Sequence, residues 1–116
     1  MSEGLILVAD DSQDIRQVIE DTILVPAGYT VRSVGDGMSA LTLAQEIAPR
    51  VVITDHNMPN LTGLELTKRL HKARPDIPVI LITSEPSQKL AIEAMRAGAV
   101  DLLSKPFEAE HLLAAV

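Results

Sequence analysis

Five polar residues in this chain stand directly after apolar runs: Asp10 and Asp11 in "LVADDS", Asp55 in "VVITDH", Thr83 in "VILITSE" and Lys105 in "DLLSKPF". Adjacent carboxylates repel and raise each other's pKa, so a "DD" pair where a buried strand ends asks for a cation nearby. Three converging carboxylates with one lysine stay self-repelling unless some bind protons or a divalent cation sits among them. Mg²⁺ suits such a set best, being hard, oxygen-seeking and usually held by one or two carboxylates plus water and phosphate oxygens. One aspartate could then act as a nucleophile toward phosphorus and give an acyl phosphate. The metal and Lys105 would neutralise charge on the transferring oxygens, and the Thr83 hydroxyl can donate a hydrogen bond to one of them. Spacing alone does not say which aspartate is attacked. Asp10 and Asp11 are adjacent and suited to sharing the metal, which favours Asp55.

Each residue taken singly has a plainer reading. Asp10, Asp11 and Ser12 suit a helix cap and first turn, where short polar side chains satisfy free N–H groups. Asp55 alone could cap a helix or a turn before "NMPN", Thr83 could be the last β-branched residue of a strand, and Lys105 a solvated lysine before a proline turn. Their joint occurrence is what points to a site. His56, beside Asp55, reads as an exposed bystander because nothing supplies a second ligand at a fixed helical spacing. His71 and His111 fall in helical patterns and read as surface residues. "GDG" at 35–37 reads as a turn into a helix, since it lacks the length and spacing of a phosphate loop.

The elements that must position these residues alternate regularly. Leu5 to Ala9, Val51 to Thr54 and Val79 to Ile82 are apolar at nearly every position, as strands covered on both faces require. Weaker runs lie at Tyr29 to Val34 and Val100 to Leu103. Between the runs, apolar residues follow the three-and-four spacing of a helix face: Ile15, Val18, Ile19 and Ile23; Ala40, Leu41, Ala44, Ile47 and Ala48; Leu66, Leu70 and Ala73; Ala91, Ala94, Met95 and Gly98. "AGY", "AP", "RPDIP" and "AGA" fall between helix and strand, where Gly and Pro stop helices. Five βα units predict a doubly wound α/β fold with a parallel sheet and helices on both faces. Strand order is not readable from propensity. Ligands of such sheets bind outside the carboxyl ends of the strands, which is where the five polar residues stand.

Composition limits the partners. A chain of 116 residues at 47% hydrophobic suits one domain, residues 1–116, around one core. There is no cysteine for a disulfide or a thiolate metal site, the apolar runs are too short to cross a bilayer, and "MSEG" does not open a signal peptide. A soluble cytoplasmic protein with no membrane partner is expected. A net charge of −6 and only two aromatics, Tyr29 and Phe107, disfavour direct nucleic-acid binding.

Together, "VADDS", "ITDHNMPNLTG", "ILITSE" and "LLSKPF", in that order across nearly the whole chain, resemble the receiver domain of two-component response regulators. The resemblance implies a flavodoxin-like (βα)5 sheet of order 2-1-3-4-5. It implies that Asp55 accepts a phosphoryl group from a sensor histidine kinase or a histidine phosphotransfer protein. It assigns magnesium to Asp11, Asp55 and the backbone carbonyl of Asn57, with Asp10 acting mostly through water. Thr83 and Lys105 take the phosphoryl-sensing and charge-pairing roles, and the Lys105-Pro106 bond is cis. An output domain or a homodimer would be engaged through the last two βα units. The module would promote only its own phosphorylation and hydrolysis, without turning over an external metabolite.

Two features depart from the family pattern. Leu102 stands where many receivers carry an aromatic that changes rotamer on activation. The last helix, "EAEHLLAAV", ends after about two turns without a Gly or Lys/Arg stop signal, so a truncated helix is expected. Two other functions share some of these residues. A Mg²⁺-dependent aspartyl-phosphate phosphatase would need Asp-x-Asp after the first strand, which "DD" does not match. An interaction module that takes no phosphate would not need the complete residue set.

Overall fold

The computed structural model describes residues 4–116. Strands β1 (Leu5–Ala9), β2 (Thr30–Val34), β3 (Val51–Asp55), β4 (Val79–Thr83) and β5 (Asp101–Ser104) form one sheet in the order β2-β1-β3-β4-β5, with every neighbouring pair parallel. All five residues of β3 and of β4 are buried, whereas no residue of the edge strands β2 and β5 is fully buried. That contrast explains the two weaker apolar runs. An edge strand is covered less completely and tolerates polar side chains.

Side chains alternate across the sheet as the pleat requires. Leu7, Val52 and Val79 pack under α2 (Gly37–Ile47) and α3 (Gly63–Ala73), and Leu81 under α3 and α4 (Gln88–Ala97). Ile6, Val8, Ile53, Ile80 and Ile82 face the opposite layer, made by the first helix and α5 (Ala109–Ala115). Each fully buried leucine or isoleucine here contributes about 1.5–3 kcal/mol. The helix starts are written locally: Ser12, Asp36, Thr62 and Ser87 each accept a hydrogen bond from the backbone N–H three residues on. Asp36, in "GDG", is therefore a helix cap, as the turn reading required.

The first helix departs from simple periodicity. α1 (Gln13–Gln17) continues as a π-helical segment over Val18–Leu24, and the Val25 N–H bonds the Glu20 carbonyl five residues back at 2.9 Å. The wider winding buries Ile19, Ile23 and Leu24 but turns Val18 outward, 53% exposed. In α4 the inward face is Leu90, Ala94 and Ala97, and Met95 of the expected stripe points away. Ala73, at the end of α3, is exposed. Among the described residues, no helix is long and apolar enough to cross a membrane.

Candidate functional site

The loop after β1 is held from three sides. Asp10 is 2% exposed, and its N–H extends the ladder to the Val34 carbonyl at 3.2 Å. Asp10 Oδ1 accepts the Ser12 N–H at 2.9 Å and Oδ2 accepts Lys105 Nζ at 3.1 Å. Arg16, to which sequence reasoning gave no role, donates from Nη1 to the Asp10 carbonyl at 2.8 Å. Gly35 makes room for it, since a Cβ there would lie 2.8 Å from the same nitrogen. A position in the turn of α1 facing back toward "DD" was the only available signal for Arg16.

Asp55 is the last residue of β3, and its backbone is clamped. The His56 N–H donates to the Ile82 carbonyl at 2.8 Å, the Gly63 N–H to the His56 carbonyl at 2.9 Å, and the Thr54 hydroxyl to the Asp55 carbonyl at 3.0 Å. α3 starts so close that a Cβ on Gly63 would collide with the Asp55 carbonyl and the Leu81 side chain. Only glycine fits there. Thr83, fully buried at the end of β4, accepts the Glu85 N–H at 3.0 Å through Oγ1. The Lys105 N–H bonds the Thr83 carbonyl at 2.7 Å, which brings the lysine beside the other two strand ends. The Lys105-Pro106 peptide is cis.

Electrostatically, the site is short of positive charge. Lys105 Nζ also lies 3.1 Å from Asp55 Oδ1, an ion pair without hydrogen-bond alignment, so that buried oxygen keeps no hydrogen-bond donor. Burial, then the charge of Asp10, pushes the Asp55 carboxyl above the usual range, and Lys105 only partly offsets them. For Lys105, burial works against the charge, but Asp10 and Asp55 outweigh it and raise its pKa. Asp10, Asp11 and Asp55 can each present one oxygen, all within 4.8 Å of one another, with Asp11 exposed at the mouth. Three hard oxygen donors, one of them buried and unbonded, fit a divalent cation.

The other singled-out residues lie around this centre. Asn57 is exposed in the loop after β3. His56 is half-buried and not the exposed bystander expected: its Nδ1 is enclosed without a hydrogen-bond partner, beside a hollow of about 280 Å³ that Glu85 and Ser87 also line. The clamp on its backbone turns the ring inward, which composition could not reveal. His71 and His111 are exposed, as expected. Leu102 is half-buried and packs against the cluster formed by Leu81, Leu90 and Ala94.

A family model for the response regulator receiver domain matches residues 6–116. The chain is 40% identical over 111 residues to the C4-dicarboxylate transport transcriptional regulatory protein DctD of Pseudomonas aeruginosa, covering 96% of this chain and 24% of that protein. It is 34% identical over 116 residues to the DNA-binding transcriptional regulator NtrC of Escherichia coli, covering 100% of this chain and 24% of that protein. The chain thus spans about a quarter of the length of these relatives. Among solved structures, Vibrio cholerae chemotaxis protein CheY4 superposes with a TM-score of 0.88 at 38% identity, over 96% of this chain and 93% of that one. A Burkholderia pseudomallei response regulator with a phosphorylated aspartic acid, calcium ion and citrate gives 0.90 at 30% identity, over 97% and 66%.

Proposed function

Since this chain belongs to the response regulator receiver family of two-component systems, we propose that it is a phosphorylation-controlled switch whose phosphoacceptor is Asp55. The observation that carries this reading is the convergence of Asp10, Asp11 and Asp55 around Lys105 at the carboxyl end of the sheet. Asp10, Asp11, Asp55 and the Asn57 carbonyl would hold Mg²⁺, which when bound neutralises charge on phosphoryl oxygens.

A carboxylate oxygen of Asp55 attacks the phosphorus of a phosphohistidine. An O–P bond forms, the N–P bond breaks, and the imidazole nitrogen leaves with the electron pair. Lys105 can follow the developing charge because its ammonium already sits against Asp55. The Thr83 hydroxyl keeps its proton free for a phosphoryl oxygen while still accepting from the Glu85 N–H, so movement of Thr83 would draw the loop before α4 with it. The donor is a sensor histidine kinase or a histidine phosphotransfer protein. The readout is an output domain or a second copy meeting the last two βα units, where Ile92, Met95 and Val100 are exposed. Leu102 contributes little of the coupling, because leucine has less bulk than an aromatic and no polar tip to distinguish two pockets.

Incubation with a small acyl phosphate and Mg²⁺, followed by intact mass measurement, tests the reading. One base-labile phosphoryl group is expected on the wild type and none on Asp55→Asn. Full phosphorylation of that variant would move the nucleophile elsewhere, and an unmodified wild type would leave an interaction module.

A further inference from the structure

Cations gather away from the phosphorylation site on a chain whose net charge is −6. Lys68, His71 and Lys72 of α3 and Arg96 of α4 line a hollow of about 610 Å³, with Glu93 as the single acid and Ala97 on its floor. Among the described residues, Lys68, Lys72 and Arg96 make no ion pair, although acids outnumber bases 16 to 10. Helix dipoles favour cations in a last turn, which accounts for His71, Lys72 and Arg96 individually. That effect does not call for Lys68, nor for cations of two helices facing one groove.

The groove is also built. The His71 ring lies directly over Gly98, where a Cβ would come within 2.5 Å of Cγ, so the end of α4 comes close against α3 here. Gly98 has φ +103°, which suits it to this contact without strain.

We propose that this α3–α4 groove docks an acidic peptide segment of a partner protein. Lys68, Lys72, Arg96 and the His71 ring are all exposed, so each contact is weak and several must act together. A lone small anion is therefore a poor fit, and a chain carrying carboxylates at intervals a good one. Lys68 and Lys72 are one helical turn apart, about 6 Å, and oppose Arg96 across the floor, an arrangement that matches a helix laid in a groove with acids toward both rails. Lysine and arginine stems beside Ala97 supply apolar contact beneath the charges. Nucleic acid is disfavoured by the overall charge and by the lack of Phe, Tyr or Trp in the groove for stacking. The ends of α3 and α4 lie beside the start of β4, where the Val100 N–H bonds the Val79 carbonyl, at the opposite end of the sheet from Asp55 and Thr83. Docking there requires no phosphorylation.

The probe is a labelled helical peptide of about twelve residues, about three turns, with glutamate at every third or fourth position. Anisotropy and amide shifts of the unphosphorylated protein are followed in low salt. Saturable binding is expected, with shifts concentrated in residues 68–74 and 96–100. Lys72→Glu with Arg96→Glu should weaken it at least tenfold, and the milder Lys72→Gln with Arg96→Gln at least threefold, both variants keeping the wild-type melting profile. Raising salt from about 0.02 to about 0.2 M should weaken it about tenfold by screening. No binding, equal binding of the peptide with glutamine in place of glutamate, binding untouched by the charge reversal, or tighter binding of a short DNA duplex would each overturn the proposal.

Discussion

The two ends of the sheet use charge in opposite ways. At the carboxyl end, Asp10 and Asp55 are 2% and 6% exposed, and one ammonium 3.1 Å from each holds them in check. At the other end Lys68, His71, Lys72 and Arg96 are exposed, and among the described residues the three lysine and arginine side chains make no ion pair. Buried charges cost several kcal/mol unless paired, whereas exposed charges cost almost nothing. The first end therefore gives up stability for reactivity and should be sensitive to small changes. The second is made of side chains the fold does not need, so substitution there should alter binding and leave folding alone.

The largest effect should come from the backbone that carries the buried charges. Gly63→Ala is expected to cost about 3 kcal/mol or more in urea unfolding, because α3 must retreat from the Asp55 carbonyl. Wild-type stability in that variant would mean that α3 shifts freely and that the clamp is not one. Next comes the lysine. Lys105→Met leaves two buried carboxylates without their cation and should cost about 2 kcal/mol in metal-free protein. Millimolar Mg²⁺ should then stabilise this variant more than it stabilises the wild type, the gain for either protein being about 2.7 kcal/mol at 100 times its own Kd. Paired thermal melts decide this, and equal shifts would detach Lys105 from the cation site.

Asp55→Asn should act in the reverse sense and stabilise metal-free protein by about 1 kcal/mol, since it removes a buried, repelled carboxylate. Burial and Asp10 raise the folded-state pKa of Asp55 above its unfolded value, so the stability contributed by its protonated form is lost as pH rises through the folded value. The gap between variant and wild type is therefore widest near neutral pH and closes as pH falls through the carboxylate range. A gap that widens on acidification would contradict the cause assigned to Asp55. Smallest of all, Lys72→Gln should change unfolding by less than about 0.5 kcal/mol, and a larger loss would show that the groove cations serve the fold.

The central strands were legible because burial on both faces leaves no room for polar residues, and most of the site was legible because Asp10, Asp11, Asp55 and Thr83 stand at the ends of such strands, whereas Lys105 follows the weaker edge run of β5. Asp55 and Thr83 even close the β3 and β4 ladders. What periodicity could not show depends on winding and on close approach. Val18 satisfied a four-residue helix pattern that the π segment breaks. Arg16 reaches the Asp10 carbonyl through a loop geometry that only the fold creates. His56 is turned inward by a backbone held from β4 and α3. Strand order likewise came from the resemblance and not from the pattern, since any order of five buried strands obeys the same alternation.

The Asp10–Lys105 ion pair joins residues 95 positions apart, so the site is also ordered in time. A chain growing from the ribosome at about 5–20 residues per second makes all three aspartates well before the lysine, a delay on the order of ten seconds after Asp10. Until Lys105 emerges and β5 joins the sheet, Asp10 and Asp55 lack the ammonium that pairs with both, and packing β1 against β3 brings their carboxylates together at a cost that a proton or a cation from solution would lower. Of the five strands of this sheet, the last in sequence is thus the one that completes the site.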